Sequence, residues 1–172
     1  MPVPAGNDKK PLVITGPATN TGRDRSGQGA RQMLTRVHHI NLLVRDLDAA
    51  VARYRAAFAI ARFEFGDLPE RGVRTARFRA GESWIVLVQP TDPDSVPGQQ
   101  LAAHGEGLFL LSLGVDSLAS ARETVLAGGG AFTQDKPRTG LEGWQVLDLD
   151  PALFSGALLQ LTEEKPTDFD SE

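Results

Sequence analysis

One pattern of residues is spelled out twice in this chain, and a duplicated pattern narrows the fold more than any single residue does. Each copy has to be one structural unit that buries its apolar face against its twin. In the first copy an apolar run from Val37 to Val44 leads to Asp46. Leu47, Ala50, Val51, Tyr54 and Phe58 then recur at helical spacing. In the second copy a run from Leu108 to Val115 leads to Ser117, and Leu118, Ala121 and Val125 repeat the spacing. Asp46 and Ser117 are the residue types whose side-chain oxygens cap the free N–H groups of a helix start. Gly128-Gly129-Gly130 supplies the stop, because glycine accepts the left-handed conformation that ends a helix. Three shorter strand candidates follow each helix. They are Ala61 to Phe65, Val73 to Arg79 and Ser83 to Val88 in the first copy, then Ala131 to Thr133, Trp144 to Leu149 and Gly156 to Leu161. Gly81-Glu82 and Asp150-Pro151 are among the turns between them. The pattern predicts an α+β fold built as βαβββ twice, with modules over 36–90 and 105–163. The Pro- and Asp-rich stretch from Pro90 to Gln99 links them.

Composition limits what such a fold does. A hydrophobic share of 41% in 172 residues is enough for a real core. The absence of Cys excludes disulfides, Fe–S clusters, thiolate zinc sites and cysteine nucleophiles, and agrees with a reducing, cytoplasmic setting. A net charge of −4 gives no general pull toward nucleic acid or an anionic membrane, and no apolar run approaches spanning length. Residues 1–35, rich in Gly, Pro, Thr and basic residues, read as a flexible tail, and 164–172 as a short acidic one. The glycine triplet is no phosphate loop, since no Lys-Ser/Thr signature follows it, and no serine lies in a nucleophile-elbow pattern.

Four stretches carry a resemblance to a known family: His39-Ile40 with Val44-Arg45-Asp46-Leu47; Pro69-Glu70-Arg71-Gly72-Val73; Gly105-Glu106-Gly107-Leu108; and Asp150-Pro151 leading to Gly156-Ala157-Leu158-Leu159-Gln160-Leu161. Together they resemble the vicinal-oxygen-chelate superfamily of glyoxalases, extradiol dioxygenases and bleomycin-resistance proteins, and within it the methylmalonyl-CoA epimerases. The resemblance spans the modules and implies two βαβββ units whose mixed sheet curls around a cavity. It further implies a divalent metal held by inward residues of the first and last strand of each module. Those positions fall on His39, Val86, Leu110 and Gln160. One imidazole, one neutral amide and two aliphatic side chains do not supply the donors or the charge that hold a dication. No metal and no other cofactor is expected. Gln89 lies an odd number of residues from Val86 and faces the other side of the sheet. His38 alternates outward from His39, and His104 lies in the linker. The last-strand carboxylate that the epimerase resemblance implies as a base is replaced by Gln160, whose amide has no useful basicity. A second base position in some relatives is Thr75.

Alternation along the strands gives the expected ligand-binding set: Asn41, Thr75, Arg77, Trp84, Val86, Leu110, Ser112, Trp144 and Gln160, around His39 as the candidate catalytic residue. Such a lining, mostly apolar with a few convergent polar groups, is the makeup of a small-molecule pocket. His39 has two readings: a proton-transfer group, or a relict ligand hydrogen-bonded to Asn41 or Gln160. Arg77 suits a carboxylate or phosphate, or is an exposed strand arginine. Trp84 and Trp144 either stack on a planar ligand or fill the core. Glu142, in the Thr139 to Gly143 loop, is either a base at the cavity mouth or a solvated carboxylate. The functional expectation is a metal-independent protein that binds a small organic acid, acyl thioester or aromatic metabolite, with isomerase or lyase chemistry at His39. The competing readings are a sequestering protein like the bleomycin-resistance relatives and a metal-dependent epimerase or lactoylglutathione lyase. A homodimer is what the resemblance implies for assembly.

Overall fold

The computed structural model describes residues 32–164; the two tails expected from the sequence lie almost wholly outside them. In chain order the elements are β1 (Leu34–Leu43), α1 (Leu47–Phe58), β2 (Glu64–Leu68), β3 (Val73–Ala80), β4 (Ser83–Pro90), α2 (Val96–His104), β5 (Gly107–Val115), α3 (Leu118–Ala127), β6 (Arg138–Thr139), β7 (Gln145–Asp148) and β8 (Leu159–Glu163). Short 3₁₀ turns separate several of them. Both caps read from the sequence form. The Asp46 carboxylate accepts from the Ala49 N–H at 2.9 Å, and the Ser117 hydroxyl from the Ser120 N–H. The glycine triplet closes α3 with paired bonds, from the Gly130 N–H to the Val125 carbonyl and from the Gly129 N–H to the Leu126 carbonyl. That geometry requires a left-handed residue between them, and Gly129 takes it at φ 82°.

The two modules are twins down to their helix starts. Gln89, at the end of β4, accepts from the Leu47 N–H of α1, and Glu163, at the end of β8, accepts from the Leu118 N–H of α3. Each long side chain thereby satisfies a helix N–H that has no partner inside the helix. Gln89 thus faces the helix side, as its spacing from Val86 predicts.

Within each module the first strand pairs in parallel with the last: β1 with β4, and β5 with β8. The modules meet where β1 and β5 pair antiparallel, giving one eight-stranded mixed sheet ordered β2-β3-β4-β1-β5-β8-β7-β6. Alternation sends one set of side chains toward the helices. Leu47, Ala50 and Val51 of α1 pack on Ala76, Phe78 and Leu87, while Leu118 and Ala121 of α3 pack on Leu147 and Leu161. The opposite face of every strand contributes to a single cavity, from Leu68 on β2 to Arg138 on β6. Only a sheet curled on itself brings both of its edges to one hollow.

Three local expectations are corrected. The second strand is Glu64–Leu68, displaced from the Ala61 to Phe65 run, because Phe63 is taken up in the α1 core and ladder pairing starts at Glu64 opposite Arg77. Ala131 to Thr133 forms only an isolated bridge, Phe132 with Leu149, and the strand beside β7 is the two-residue β6. The linker contains α2, masked in the sequence by Pro97 and Gly98. Pro97 is tolerated because it lies in the first turn. Gly98 is required because a Cβ there would lie 2.4 Å from the Asp92 carbonyl oxygen.

Leu87 and Leu161 are equivalent in the two modules, each three residues ahead of Pro90 or Glu164 and almost wholly buried. Leu87→Ala and Leu161→Ala are each expected to cost about 2–5 kcal/mol in denaturant melts. A loss under about 1 kcal/mol at either would mean that the helix on that side is not packed on the sheet.

Candidate functional site

The cavity of about 630 Å³ inside the curl takes its position from strand register. Asn41 lies opposite both Val86 on β4 and Leu110 on β5, and His39 lies opposite Trp84 and Ser112. Ser112 in turn pairs with Gln160, and Gln160 with Asp148. Two rows of side chains therefore cross the concave face. His39, Val86, Leu110 and Gln160, the four positions at which the resemblance implies metal ligands, all line the same cavity. Asn41, Thr75 and Trp144 line it too.

Three of the expected residues are not brought to it. Arg77 is buried in an ion-paired sandwich behind the Trp144 wall. Its guanidinium lies 4.3 Å from the Trp84 ring and 5.1 Å from the Trp144 ring, and it pairs with Glu64 at 2.7 Å and Glu142 at 2.9 Å. Its Nε and Nη2 are taken by protein carboxylates, and although Nη1 has no partner, the residue does not line the cavity. Trp84 is covered by Arg77 on one side and Arg79 at 3.9 Å. Ser112 is fully buried, its hydroxyl 2.5 Å from that of Thr162. Glu142 adopts a left-handed conformation at φ 54° and is spent on Arg77.

His38 also departs from its expected place. Between Val37 and His39 the β1–β5 ladder slips by one residue, so that His38 is the extra residue of a β-bulge. Alternation fails there, and both imidazoles turn inward. His38 is 1% exposed, and its Nδ1 is 2.9 Å from Nδ1 of His39. The His39 ring stacks on Trp144, with centroids 5.4 Å apart and planes 24° from parallel, while His38 meets the same indole edge-on. Burial lowers the pKa of His39 to about 3, assisted by the neighbouring His38, Arg138 and Arg77. Burial lowers that of His38 to about 4, with Glu164 opposing and Arg36 and Arg79 assisting. Both rings are neutral at pH 7.

Sequence reasoning missed two charged residues of the wall. Asp148 accepts from Gln160 Nε2 at 2.6 Å through Oδ1, and from Arg138 at 2.5 and 3.2 Å through Oδ2. A carboxylate is thus present beside Gln160, one strand over from where the resemblance implies one. The signal was there for Asp148, which alternates with Trp144 and Val146 along β7. Arg138 follows Pro137 in a stretch without periodicity and gave none. Phe109 was missed as well, because a further slip between Asn41 and Leu42 brings it to the cavity and leaves Leu108 exposed.

The donors around the cavity do not suit a divalent cation. Val86 and Leu110 present hydrocarbon, the Gln160 amide is engaged by Asp148, and Asp148 is already neutralised by Arg138. Among the described residues no cluster of three or more His, Asp or Glu is placed to hold a metal ion. The described residues also contain no helix long and apolar enough to cross a membrane.

Comparison with known proteins agrees with this architecture. The family model described as Glyoxalase/Bleomycin resistance protein/Dioxygenase superfamily matches residues 38–147. An ethylmalonyl-CoA/methylmalonyl-CoA epimerase of Cereibacter sphaeroides is 28% identical over 133 residues, which are 76% of this chain and 99% of that protein. The structure of a Streptomyces coelicolor methylmalonyl-CoA epimerase in complex with 2-nitronate-propionyl-CoA matches with a TM-score of 0.71 at 31% identity, covering 77% of this chain and 99% of that one. A methylmalonyl-CoA epimerase from Mycobacterium tuberculosis, at 23% identity, shares the fold with a TM-score of 0.75 over 81% of this chain and 94% of its own. With its twin βαβββ modules and its curled sheet, the chain belongs to the Glyoxalase/Bleomycin resistance protein/Dioxygenase superfamily and is similar within it to the methylmalonyl-CoA epimerases.

Proposed function

We propose that the chain binds a small organic acid, acyl thioester or aromatic metabolite in this cavity without a divalent cation, and that His39 is the group that meets its reacting part. The observation that carries the reading is the convergence of His39, Val86, Leu110 and Gln160 on one hollow with two hydrocarbon side chains among them. Of the three ligand classes, an acyl thioester has the added support of the similar epimerases, which are named for acyl-CoA substrates. Arg138 adds a cationic group to the wall, and its Nη1 lacks a partner, so a carboxylate or thioester oxygen would satisfy it. The reaction class under this reading is isomerisation or lysis at a carbon made acidic by a neighbouring carbonyl. Pairing of two copies and a cytoplasmic setting belong to the same proposal.

A second reading, sequestration without chemistry, is favoured by one observation. Both Asp148 oxygens are already hydrogen-bonded, and His39 is held neutral far below the usual imidazole range, so the cavity lacks a strong base.

Thermal-shift screening with acyl-CoAs, 2-oxo acids and aromatic metabolites, followed by product analysis, separates the two. His39→Ala is expected to lower turnover by about 10²–10⁴-fold if the chain is an enzyme, and only to weaken binding if it sequesters. With His39 neutral down to about pH 3, kcat/KM is expected to show no inflection near the usual imidazole pKa. An inflection there would place the working base elsewhere. Elemental analysis of purified protein is expected to find no stoichiometric cobalt, zinc, nickel or manganese, and finding one would overturn the metal-free proposal. The combined variant Val86→Glu, Leu110→His, Gln160→Glu places a new carboxylate beside Asp148, a repulsion that a cation relieves. Its melting temperature is therefore expected to rise on adding Co²⁺ or Mn²⁺ while that of the parent stays put. An equal response in both proteins would refute the convergence of the four positions.

A further inference from the structure

The inward turn of His38 places three titratable groups in line: Glu164, His38 and His39. Oε2 of Glu164 stands 3.6 Å from Nε2 of His38, whose Nδ1 is in turn 2.9 Å from Nδ1 of His39. The Nδ1 contact leaves Nε2 as the far nitrogen of His39, and the ring lines the cavity. Two neutral imidazoles sharing an Nδ1···Nδ1 contact need one proton between them, so one ring must carry its hydrogen on Nδ1 and the other on Nε2. The carboxylate decides which. Nε2 of His38 makes no hydrogen bond, but a lone pair there facing the carboxylate at 3.6 Å is repelled, whereas an N–H is attracted, so the contact favours the His38 tautomer with its proton on Nε2. Its Nδ1 is then bare and accepts from Nδ1–H of His39. Burial keeps the rings neutral, assisted by the cations Arg36, Arg79, Arg77 and Arg138, which offer no competing acceptor; Arg36 also donates to Oε2 of Glu164, but the carboxylate acts on His38 more strongly than Arg36 does.

We propose that Glu164 and His38 act as positioning residues that lock His39 in its Nδ1–H tautomer, so that the cavity meets a bare Nε2. His39 then offers the ligand a lone pair and no hydrogen. Any group seated against it has to donate, as a hydroxyl, an N–H or an acidic C–H does, while the oxygen acceptors of the same ligand are left to Arg138. This deepens the proposed role of His39 but concerns the unliganded protein, so it stands or falls apart from turnover.

Histidine-labelled full-length protein at pH 7, read by long-range ¹H–¹⁵N correlation, reports the tautomer of each ring directly. The expected result is a pyrrole-type Nδ1 and a pyridine-type Nε2 for His39, with the reverse for His38. Glu164→Ala, at a half-exposed position, is expected to move both rings toward averaged shifts. His38→Phe is expected to return the His39 proton to Nε2. A wild-type His39 already protonated on Nε2 would overturn the proposal, and so would His39 shifts that neither substitution moves. The wild-type spectrum decides the tautomer even if His38→Phe fails to fold. If His39→Ala leaves turnover intact while these spectra come out as expected, the catalytic reading fails and the tautomer lock survives.

Discussion

Antiparallel pairing of β1 with β5 is the contact on which the concave face depends. Each module alone is a four-stranded sheet with one helix-covered face and one bare face. Joining them along their first strands makes the two bare faces continuous, and right-handed strand twist accumulated over eight strands turns that surface into a hollow. The same pairing sets the register that puts Asn41 opposite Leu110 and His39 opposite Ser112. Register is therefore the source of the site: a slip of one residue along the whole ladder would exchange the cavity lining for the helix-facing core.

The twofold plan was legible because it rests on local chemistry that repeats. Asp46 and Ser117 act as caps in the structure as their residue types suggest, and the glycine triplet ends α3. Val86 and Gln160 face the cavity because strict alternation holds along β4 and β8, whose pairings are regular. Alternation fails wherever the ladder carries an extra residue. The bulge at His38 and the slip near Phe109 are tertiary facts, fixed by how one strand fits its neighbour, and no pattern in either strand announces them. The helix in the linker was hidden for a different reason. Pro97 and Gly98 argue against a helix on propensity, while in the fold one occupies a first turn and the other permits close approach to the Asp92 carbonyl.

The arginines of the inner face each have a carboxylate beside them. Arg77 answers Glu64 and Glu142, Arg138 answers Asp148, and Gln160 completes the bonding of that carboxylate. In a partly enclosed hollow such pairing matters, because each unpaired charge would carry a desolvation cost. It also explains why the wall holds together with aliphatic side chains at Val86 and Leu110: no cluster of like charges converges there that would call for a cation to neutralise it.

The arrangement of the two indoles has an optical consequence. The chain contains two tryptophans, and both belong to the inner cluster of the curl. Trp144 forms part of the cavity wall with its ring against His39, while Trp84 lies behind, clamped between two guanidinium groups. Tryptophan fluorescence of this protein is therefore emitted from the interior of the curl, with one fluorophore at the ligand surface and a screened one behind it as reference.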